Sequence, residues 1–304
     1  MIKVGKNEDF ISVNEAVQAA KSGDTIFVSS GVYRERVEIT KPDITLIGED
    51  NTVIEYDLYA RKIVDDEKLG TFRSYTMLVN ADNFICKNIT IANTAGFGYE
   101  VGQAIALYAE GDSITFEDCR FLGHQDTLFT GPLPFREIER GGFKGPTEFA
   151  ERRVMHQTYR RCYIEGEVDF IFGSASAYFE ACELFSIDCG KEINGFVTAA
   201  STYAGADYGY IFNRCKFTGN CPKGTVYLGR PWRNFAQTVL IDCEIGEHIH
   251  DELFHDWNKD EARNTAFYSV YGCRGKDLSG AAPFVKLLSK EEAKILLQKI
   301  RAAL

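Results

Sequence analysis

The sequence predicts an all-β fold: a single-stranded right-handed parallel β-helix, or solenoid, with a short helix near each end. A six-residue pattern centred on cysteine recurs along the chain at unequal spacings. The segments between its copies read as short strands and turns, without the alternating helices that an α/β solenoid would need. Recurrence of one strand unit points to a solenoid or a propeller, and the unequal spacing favours the solenoid, because propeller blades are more uniform in length.

The two predicted helices stand at the ends of the chain. Ser12 to Glu15 reads as a capping box, and the helix that it opens stops before Gly23. Ser289 to Glu292 reads as a second capping box, which opens a C-terminal helix at about 289–304. We predict one domain spanning residues 1–304, with these helices as candidates to cover the open ends of the solenoid.

The repeated pattern is an apolar residue, two mostly polar residues, a cysteine, any residue and another apolar residue. It occurs as FEDCRF at 116–121, YRRCYI at 159–164, FEACEL at 179–184, FNRCKF at 212–217 and LIDCEI at 240–245, and CKNITI at 86–91 fits with Ile89 in the cysteine position. The repeated cysteines are Cys119, Cys162, Cys182, Cys215 and Cys243. Since free cysteine behaves as a small apolar side chain, we expect them to stack in the core rather than to form disulfides or bind metal.

One segment interrupts the repeats. Residues 131–156 are rich in glycine, proline and charge, which predicts a long loop inserted between two coils.

Composition excludes several classes of function. The formal net charge of −10 argues against a nucleic-acid partner, because binding phosphates needs a basic surface. No apolar run approaches the roughly 20 residues that span a bilayer, and the first ten residues have no apolar signal core. The nine cysteines lack paired CxxC spacing, so we expect no zinc site, no other metal and no cofactor. Free thiols without a signal predict a cytoplasmic location.

Two aspartates share one position of the repeat. The number of residues from Cys119 to Asp126 equals the number from Cys162 to Asp169. The two aspartates are therefore expected at equivalent positions on successive coils. Neighbouring strands of a sheet lie roughly 4.8 Å apart, and two carboxylates that close cannot both ionise easily. One would serve as a nucleophile and the other as a proton donor. The alternative is a ladder of exposed aspartates on a solvated turn.

The sequences around these aspartates carry a family resemblance. The segments GVYRERV at 31–37, GQAIALY at 102–108, GHQDTLF at 123–129, DFIFG at 169–173 and YLGRPW at 227–232 resemble, in this order and spacing, the fingerprint of pectin methylesterases. The resemblance implies a hydrolase that removes methyl esters from galacturonate units of pectin. Its partners would be methyl-esterified homogalacturonan or oligogalacturonides.

The resemblance also implies a role for each matching residue. Asp169 would be the nucleophile, and Asp126 the general acid and then the general base. Gln103 and Gln125 would donate hydrogen bonds to the oxyanion, and Arg230 would hold Asp169. Trp232 would offer a flat face to a sugar ring. Phe170 and His124 are further candidates to contact substrate, and local packing is the alternative for His124.

Other functions stay open at this point. Paired carboxylates also serve glycoside hydrolases, and a polysaccharide lyase would add a calcium-binding acidic cluster. A thioesterase could use the same site on an acyl substrate other than pectin. A solenoid could also bind carbohydrate without catalysis, since fold does not imply function.

Overall fold

In the computed structural model, which describes the backbone of residues 1–303 and the side chains of residues 1–300, the chain winds through three parallel sheets. Almost every strand pairs with the equivalent strands of the coils before and after it. This arrangement is a parallel β-helix, and the predicted fold class is confirmed. Residue 304, the predicted end of the last helix, lies outside the described residues.

The sheets follow one another around each coil. Sheet 1 comprises Ile2–Val4, Thr25–Val28, Thr45–Gly48, Ile85–Lys87, Ile114–Glu117, His156–Arg160, Ser176–Glu180, Tyr210–Asn213, Gln237–Ile241, Phe267–Tyr271 and Val285–Leu287. Sheet 2 comprises Gly31–Arg34, Thr52–Tyr56, Thr90–Asn93, Arg120–Leu122, Tyr163–Gly166, Glu183–Ser186, Lys216–Gly219 and Glu244–Ile245. Sheet 3 comprises Val37–Ile39, Met77–Asn80, Leu107–Glu110, Leu128–Thr130, Val168–Gly173, Gly195–Ala200 and Val226–Pro231. A separate antiparallel pair joins Ile63–Val64 to Glu67–Lys68.

The repeated cysteines stack inside the solenoid at the turn from sheet 1 to sheet 2. All five are buried, as predicted. Each of the last four also donates a weak thiol hydrogen bond to the carbonyl of an aromatic residue on the preceding coil, namely Phe116, Tyr159, Phe179 and Phe212, at 3.3 to 3.6 Å. Those four aromatic rings form a continuous stack of their own, with centroids 4.5 to 5.3 Å apart. On these four coils the cysteine is therefore a small core side chain that also donates a hydrogen bond, whereas Ile89 fills the equivalent position of an earlier coil by packing alone.

The residue before each repeated cysteine, and before Ile89 in the equivalent position, has a positive φ, which gives these coils the same tight turn. The residues in this conformation are Asn88, Asp118, Arg161, Ala181, Arg214, Asp242 and Gly272. Gly272 precedes Cys273, which extends the row by one coil that the sequence pattern missed. The pattern failed there because Gly275 stands where an apolar residue was required.

We expect Ala181→Gly to stabilise the protein by about 1 kcal/mol. Ala181 has a φ of 54°, a left-handed conformation that costs an L-residue with a Cβ roughly 1–2 kcal/mol and glycine much less. Differential scanning calorimetry should show a higher melting temperature. Ala177→Gly, in a strand of the core, is the control and should lower it. A melting temperature for Ala181→Gly at or below that of the wild type would contradict the strain argument.

The terminal helices have different surroundings. The first, Val13–Ala19, is capped by Ser12 and buries Val13, Ala16 and Val17 in the end of the main core, as predicted for a cover. The last, Lys290–Ala303, opens with the predicted reciprocal bonds between Ser289 and Glu292.

The position of the last helix corrects the prediction that it covers the other end. Its residues Ala293 and Ile300 pack on Tyr178, Ile211 and Val239, which are outward-facing side chains of sheet 1. The helix therefore lies along the side of the solenoid. Two short helices, Gly98–Val101 and Asp260–Thr265, and a 3₁₀ turn at Thr71–Arg73 complete the helical structure of residues 1–303. None of these helices is long and apolar enough to cross a bilayer.

The inserted segment, predicted as residues 131–156, ends one residue earlier, because His156 already begins a strand of sheet 1. Residues 131–155 contain no helix or strand and lie over the ends of the sheet 3 strands. Its first part is held where the Tyr203 hydroxyl donates to the Leu133 carbonyl at 2.6 Å. Its later part is held by Thr147, whose hydroxyl donates to the buried carboxylate of Glu110 at 2.6 Å. Exposed side chains at the tip include Phe135 and Ile138. The segment thus forms a wall beside the outer face of sheet 3.

Candidate active site

A cleft of about 520 Å³ lies on the outer face of sheet 3. Its floor includes Phe172, Ala199 and Arg230, which continue a column of aligned residues that begins with the fully buried Tyr108 and Phe129. The first four residues of this column belong to a second apolar cluster, separate from the core inside the solenoid. The floor is therefore apolar until it reaches Arg230, where charge appears.

Asp126 and Asp169 occupy equivalent positions on neighbouring coils. Leu128 pairs with Ile171, and each aspartate precedes its member of that pair by two residues. The N–H of Asp126 donates to the carbonyl of Val168 at 3.0 Å, which fixes the two turns against each other. Both aspartates have positive φ, 65° and 51°. Strained backbone of this kind is typical of functional sites, and here it aims both carboxyl groups into the cleft.

Arg230 pairs with only one of the two aspartates. Its Nε donates to Oδ1 of Asp169 at 2.8 Å and its Nη2 donates to Oδ2 at 2.6 Å. The guanidinium lies between two aromatic rings, 3.9 Å from the centroid of Phe196 and 3.7 Å from that of Trp257. A bidentate pair held in this way fixes the orientation of Asp169 and favours its ionised form.

The two carboxyl groups differ in their affinity for protons. Burial raises the pKa of Asp126 well above its usual range, and the negative charge of Asp169 raises it further. Burial also raises the pKa of Asp169, but the charge and hydrogen bonds of Arg230 oppose this. The first proton shared by the pair therefore resides on Asp126, while Asp169 is the carboxylate.

Gln103 and Gln125 line the same cleft, next to Asp126. They come from consecutive turns, and the carbonyl of Gln125 accepts the N–H of Ala104 at 3.0 Å. Gly98 lies against Gln125, since a Cβ at Gly98 would come within 2.6 Å of the amide Oε1. The buried carboxylate of Glu167 accepts the N–H of Gly98 and so fixes this contact.

We expect Gly98→Ala to lower kcat by at least about 10-fold, because the added methyl group would displace the Gln125 amide from the cleft. The resemblance implies that Gln125 is an oxyanion donor; loss of one such donor typically costs roughly 2.7–4 kcal/mol of barrier, and its displacement part of that. The check is steady-state methanol release from methylated oligogalacturonides. Circular dichroism should show the native spectrum with a somewhat lower melting temperature, because the added Cβ would also come within 2.5 Å of Gln125 Cβ. A kcat within twofold of the wild type would show that the cleft does not depend on the placement of Gln125.

The structure contradicts the prediction that Phe170 contacts substrate. Its side chain is fully buried in the core inside the solenoid and cannot reach a bound sugar. The pairing register shifts between Val168 and Ile171, so Phe170 and Ile171 both point inward and Phe172 reaches the cleft floor instead. The aromatic residue of this strand that faces the cleft is therefore Phe172.

His124 also stays outside the cleft. Its ring packs on Phe97 with centroids 4.4 Å apart, and it lines a different groove, beside Glu165. Local packing, the alternative given above, describes His124 in this structure.

Three residues that sequence reasoning missed join Trp232 at the cleft: Trp257, Lys259 and Arg233. Trp257 and Asn258 both have positive φ, in the loop that follows the last strand of sheet 2. The Lys259 ammonium lies 4.2 Å from the centroid of Trp257 and donates to the carbonyls of Pro231 and Trp232. Arg233 directly follows the predicted Trp232, so only its place in the chain hinted at a role.

The inserted segment forms one wall of the cleft through Ile138, Glu139, Gly142 and Phe143. Phe143 packs edge-on against Phe72 and Trp232. The segment also meets the opposite side, because Nη2 of Arg233 donates to the carbonyl of Arg136 at 3.1 Å. The wall thus belongs to the site and is more than a surface loop.

Comparison with known proteins gives a consistent result. The family model described as Pectinesterase matches residues 2–134 and 147–287, which leaves out the tip of the inserted segment. Pectinesterase 31 of Arabidopsis thaliana is 33% identical over 315 residues, covering 96% of this chain and 89% of the relative.

Solved structures extend the similarity to three dimensions. Pectin methylesterase from carrot has a TM-score of 0.80 at 26% identity, with 96% of this chain and 89% of that chain covered. A pectin methylesterase in complex with a hexasaccharide has a TM-score of 0.78 at 25% identity, with 96% and 94% covered. The family match runs from the first strand to the last and within that span leaves out only residues 135–146 in the wall of the cleft. The chain therefore belongs to the pectinesterase family.

Proposed function

We propose that this protein hydrolyses methyl esters of galacturonate units in pectin or methylated oligogalacturonides, releasing methanol, with Asp169 as nucleophile. The observation that carries the proposal is the asymmetry of the aspartate pair. Arg230 is bound to Asp169, and Asp126 forms no ion pair among the described residues 1–300. One carboxylate and one carboxylic acid therefore face the same cleft, as an ester hydrolase with a covalent intermediate requires.

The first half of the reaction uses both aspartates. An oxygen of Asp169 attacks the ester carbonyl carbon, and the carbonyl oxygen becomes an oxyanion. The neutral amide groups of Gln103 and Gln125 donate hydrogen bonds to that oxyanion. As the carbon–oxygen bond to the methoxy group breaks, Asp126 transfers its proton to the leaving oxygen, so methanol departs and an anhydride of Asp169 remains.

The second half reverses the role of Asp126. Now ionised, Asp126 takes a proton from a water molecule, which attacks the galacturonate carbonyl of the anhydride. The bond to Asp169 breaks, the galacturonate leaves as a carboxylate, and Asp169 regains its charge beside Arg230. Asp126 ends the cycle protonated, and the excess proton of the new acid passes to solvent.

Product analysis tests this reaction against its alternatives. Purified protein is incubated with methylated oligogalacturonide, and methanol, new reducing ends and unsaturated uronides are measured together. We expect methanol alone. New reducing ends would indicate a glycoside hydrolase, and unsaturated products a lyase. Turnover of acyl thioesters without methanol release would indicate a thioesterase, and binding without any product a carbohydrate-binding solenoid.

Trp232 supports the assignment of the substrate class. Its indole faces the cleft beside Phe172, with ring centroids 5.7 Å apart. A flat apolar face next to polar donors suits a pyranose ring, which presents C–H groups on one side and hydroxyl groups at its edge.

We infer that the inserted segment makes the enzyme favour short methylated oligomers over long pectin. Its tip, residues 135–146, is the part that the family model leaves unmatched, and it narrows the cleft with Ile138 and Glu139. We expect the ratio of kcat/KM on oligomers to kcat/KM on polymer to fall when both residues are changed to serine. The two are exposed, so the fold should tolerate the change. A wild-type enzyme that prefers polymer would contradict the inference.

We also propose a cytoplasmic location. All nine cysteines are free thiols, including the partly exposed Cys189 and Cys221, which a reducing compartment preserves. Cell fractionation with an antibody against the native protein is the test. Recovery from the cell surface or the medium would overturn the location without affecting the reaction.

A further inference from the structure

We propose that Glu167 is a positioning residue for the Gln125 amide and acts on it through Gly98. The Glu167 carboxylate is buried and does not line the cleft, so it does not touch substrate. It holds the start of the short helix Gly98–Val101 against the side chain of Gln125. The inference rests on the proposed function, because the placement of this amide matters to turnover only if an oxyanion forms beside it.

Glu167 connects three successive coils. The turns that carry Gln103, Gln125 and Glu167 lead into three neighbouring strands of sheet 3. The N–H of Glu167 donates to the carbonyl of His124 at 3.0 Å, which fixes the residue before Gln125. The side chain of Glu167 reaches one coil further back, where its Oε1 accepts the N–H of Gly98. Gln125 is therefore held between two contacts that both begin at Glu167.

The contact with Gly98 orients the Gln125 amide. A Cβ on Gly98 would lie 2.5 Å from Cβ of Gln125 and 2.6 Å from its Oε1, so the backbone of Gly98 meets the amide on its oxygen side. The NH₂ group, on the other side of the same carbon, is left for the cleft that Gln125 lines. An unsupported glutamine side chain populates several rotamers. A donor misplaced by about 1 Å can cost about 100-fold in rate, so this support is expected to matter.

The surroundings of Glu167 favour a positioning role over a role in fold stability. Its second oxygen, Oε2, is buried and has no hydrogen-bond partner among the described residues, which lowers stability. Burial lowers the pKa of His124, and the negative charge of Glu167 opposes this. Burial raises the pKa of the Cys189 thiol, and the same charge adds to the increase. The hydrogen bond to Gly98 is therefore the contact that this carboxylate supplies, and the fold does not need its charge.

Two variants of similar length separate the hydrogen bond from the packing. Glu167→Met removes the acceptor, whereas Glu167→Gln keeps an oxygen that can accept from Gly98. We expect Glu167→Met to lower kcat for methanol release by at least about 10-fold, with KM within about 2-fold of the wild type. Glu167→Gln should recover most of kcat. Glu165→Met changes a carboxylate on the same strand that accepts from the Tyr163 hydroxyl, and should leave kcat and KM unchanged.

A double-mutant cycle tests whether Glu167 acts through Gln125. In a Gln125→Ala background the amide is already gone, so Glu167→Met should lower kcat by less than about 2-fold further. A residue that only stabilised the fold would lower kcat by the same factor in both backgrounds, and that result would contradict the proposal.

The glutamine side-chain signals give a readout that needs no turnover. The chain has six glutamines, so selective nitrogen-15 labelling yields few NH₂ signals, and Gln125→Ala assigns that of Gln125. We expect Glu167→Met to shift or broaden this signal and Glu167→Gln to restore it. The signal of Gln157, whose amide donates to the Ala109 carbonyl at 3.0 Å, should stay in place. Gly98→Ala should move the Gln125 signal with Glu167 intact, which keeps the test available if Glu167→Met does not fold.

The outcomes separate the positioning role from the proposed reaction. A Gln125 signal that Glu167→Met and Gly98→Ala leave unmoved, or a displaced signal with an unchanged kcat, would overturn the positioning role even if the wild type releases methanol normally. A signal that depends on Glu167 in a protein that releases no methanol would keep the contact and overturn the reaction.

Discussion

Asp169→Asn is expected to lower kcat for methanol release by at least about 10⁴-fold, because an amide cannot attack the ester carbonyl. The substitution should leave the fold intact. Asparagine tolerates the positive φ of this position as well as aspartate does. Arg230 keeps its place between Phe196 and Trp257 even without its anionic partner.

The control for this experiment is Asp242→Asn. Asp242 also has a positive φ, but it is exposed on the turn from sheet 1 to sheet 2. It should retain full activity. Thermal melts of both variants ensure that lost turnover reflects chemistry. Turnover by Asp169→Asn within about 10-fold of the wild type, in a protein of matched stability, would exclude a nucleophilic role.

Asp126→Asn is expected to lower kcat by at least about 10³-fold on methyl esters, because methoxide is a poor leaving group without a proton. The loss should depend on the alcohol. With trifluoroethyl esters, whose leaving group is more acidic, the initial burst of released alcohol should be largely restored in Asp126→Asn. No such rescue is expected for Asp169→Asn. If the two variants respond alike to the leaving group, the division of roles between the aspartates is wrong.

Asp126→Asn should also have a larger free energy of unfolding than the wild type at neutral pH. The pKa of Asp126 is raised in the folded state, so the folded protein holds its proton more tightly than the unfolded chain does. As the pH rises from about 4 to its folded pKa, this group lowers the free energy of unfolding by on the order of 1.4 kcal/mol for each tenfold fall in proton concentration. Asparagine removes that cost. The gain in melting temperature should be present at about pH 7 and vanish near about pH 3.

The aspartate pair could be predicted from sequence because the two coils that carry it have the same length between the repeated cysteine and the aspartate. The cysteine position is fixed by the tight turn with positive φ, and the same number of residues separates it from the aspartate on both coils. Counting from Cys119 and Cys162 therefore leads to the correct register, which the pairing of Leu128 with Ile171 reproduces. The turn geometry is the same on both coils, so equal spacing in the sequence gives equivalent positions in the structure.

Features that do not repeat escaped prediction. Trp257 and Lys259 follow a segment that meets the last strand of sheet 3 only through isolated bridges at Ile249 and Phe254, so no regular strand extended the repeat to them. Phe170 was misassigned because the irregular pairing after Val168 turns two consecutive side chains inward. The last helix could not be placed, because an apolar stripe on a helix does not identify the surface that it covers. Its partners, Tyr178, Ile211 and Val239, come from three different coils.

The inserted segment has a consequence for how such a protein can change over evolutionary time. It connects the two coils that carry Asp126 and Asp169, yet their alignment comes from strand pairing and from the Asp126 to Val168 hydrogen bond. The length of the connection is therefore free to drift. Doubling a flexible loop costs only about 0.6 kcal/mol in closure entropy. The sequence and length of the inserted segment, and with them the substrate preference, can therefore change during evolution while the positions of Asp126 and Asp169 stay the same.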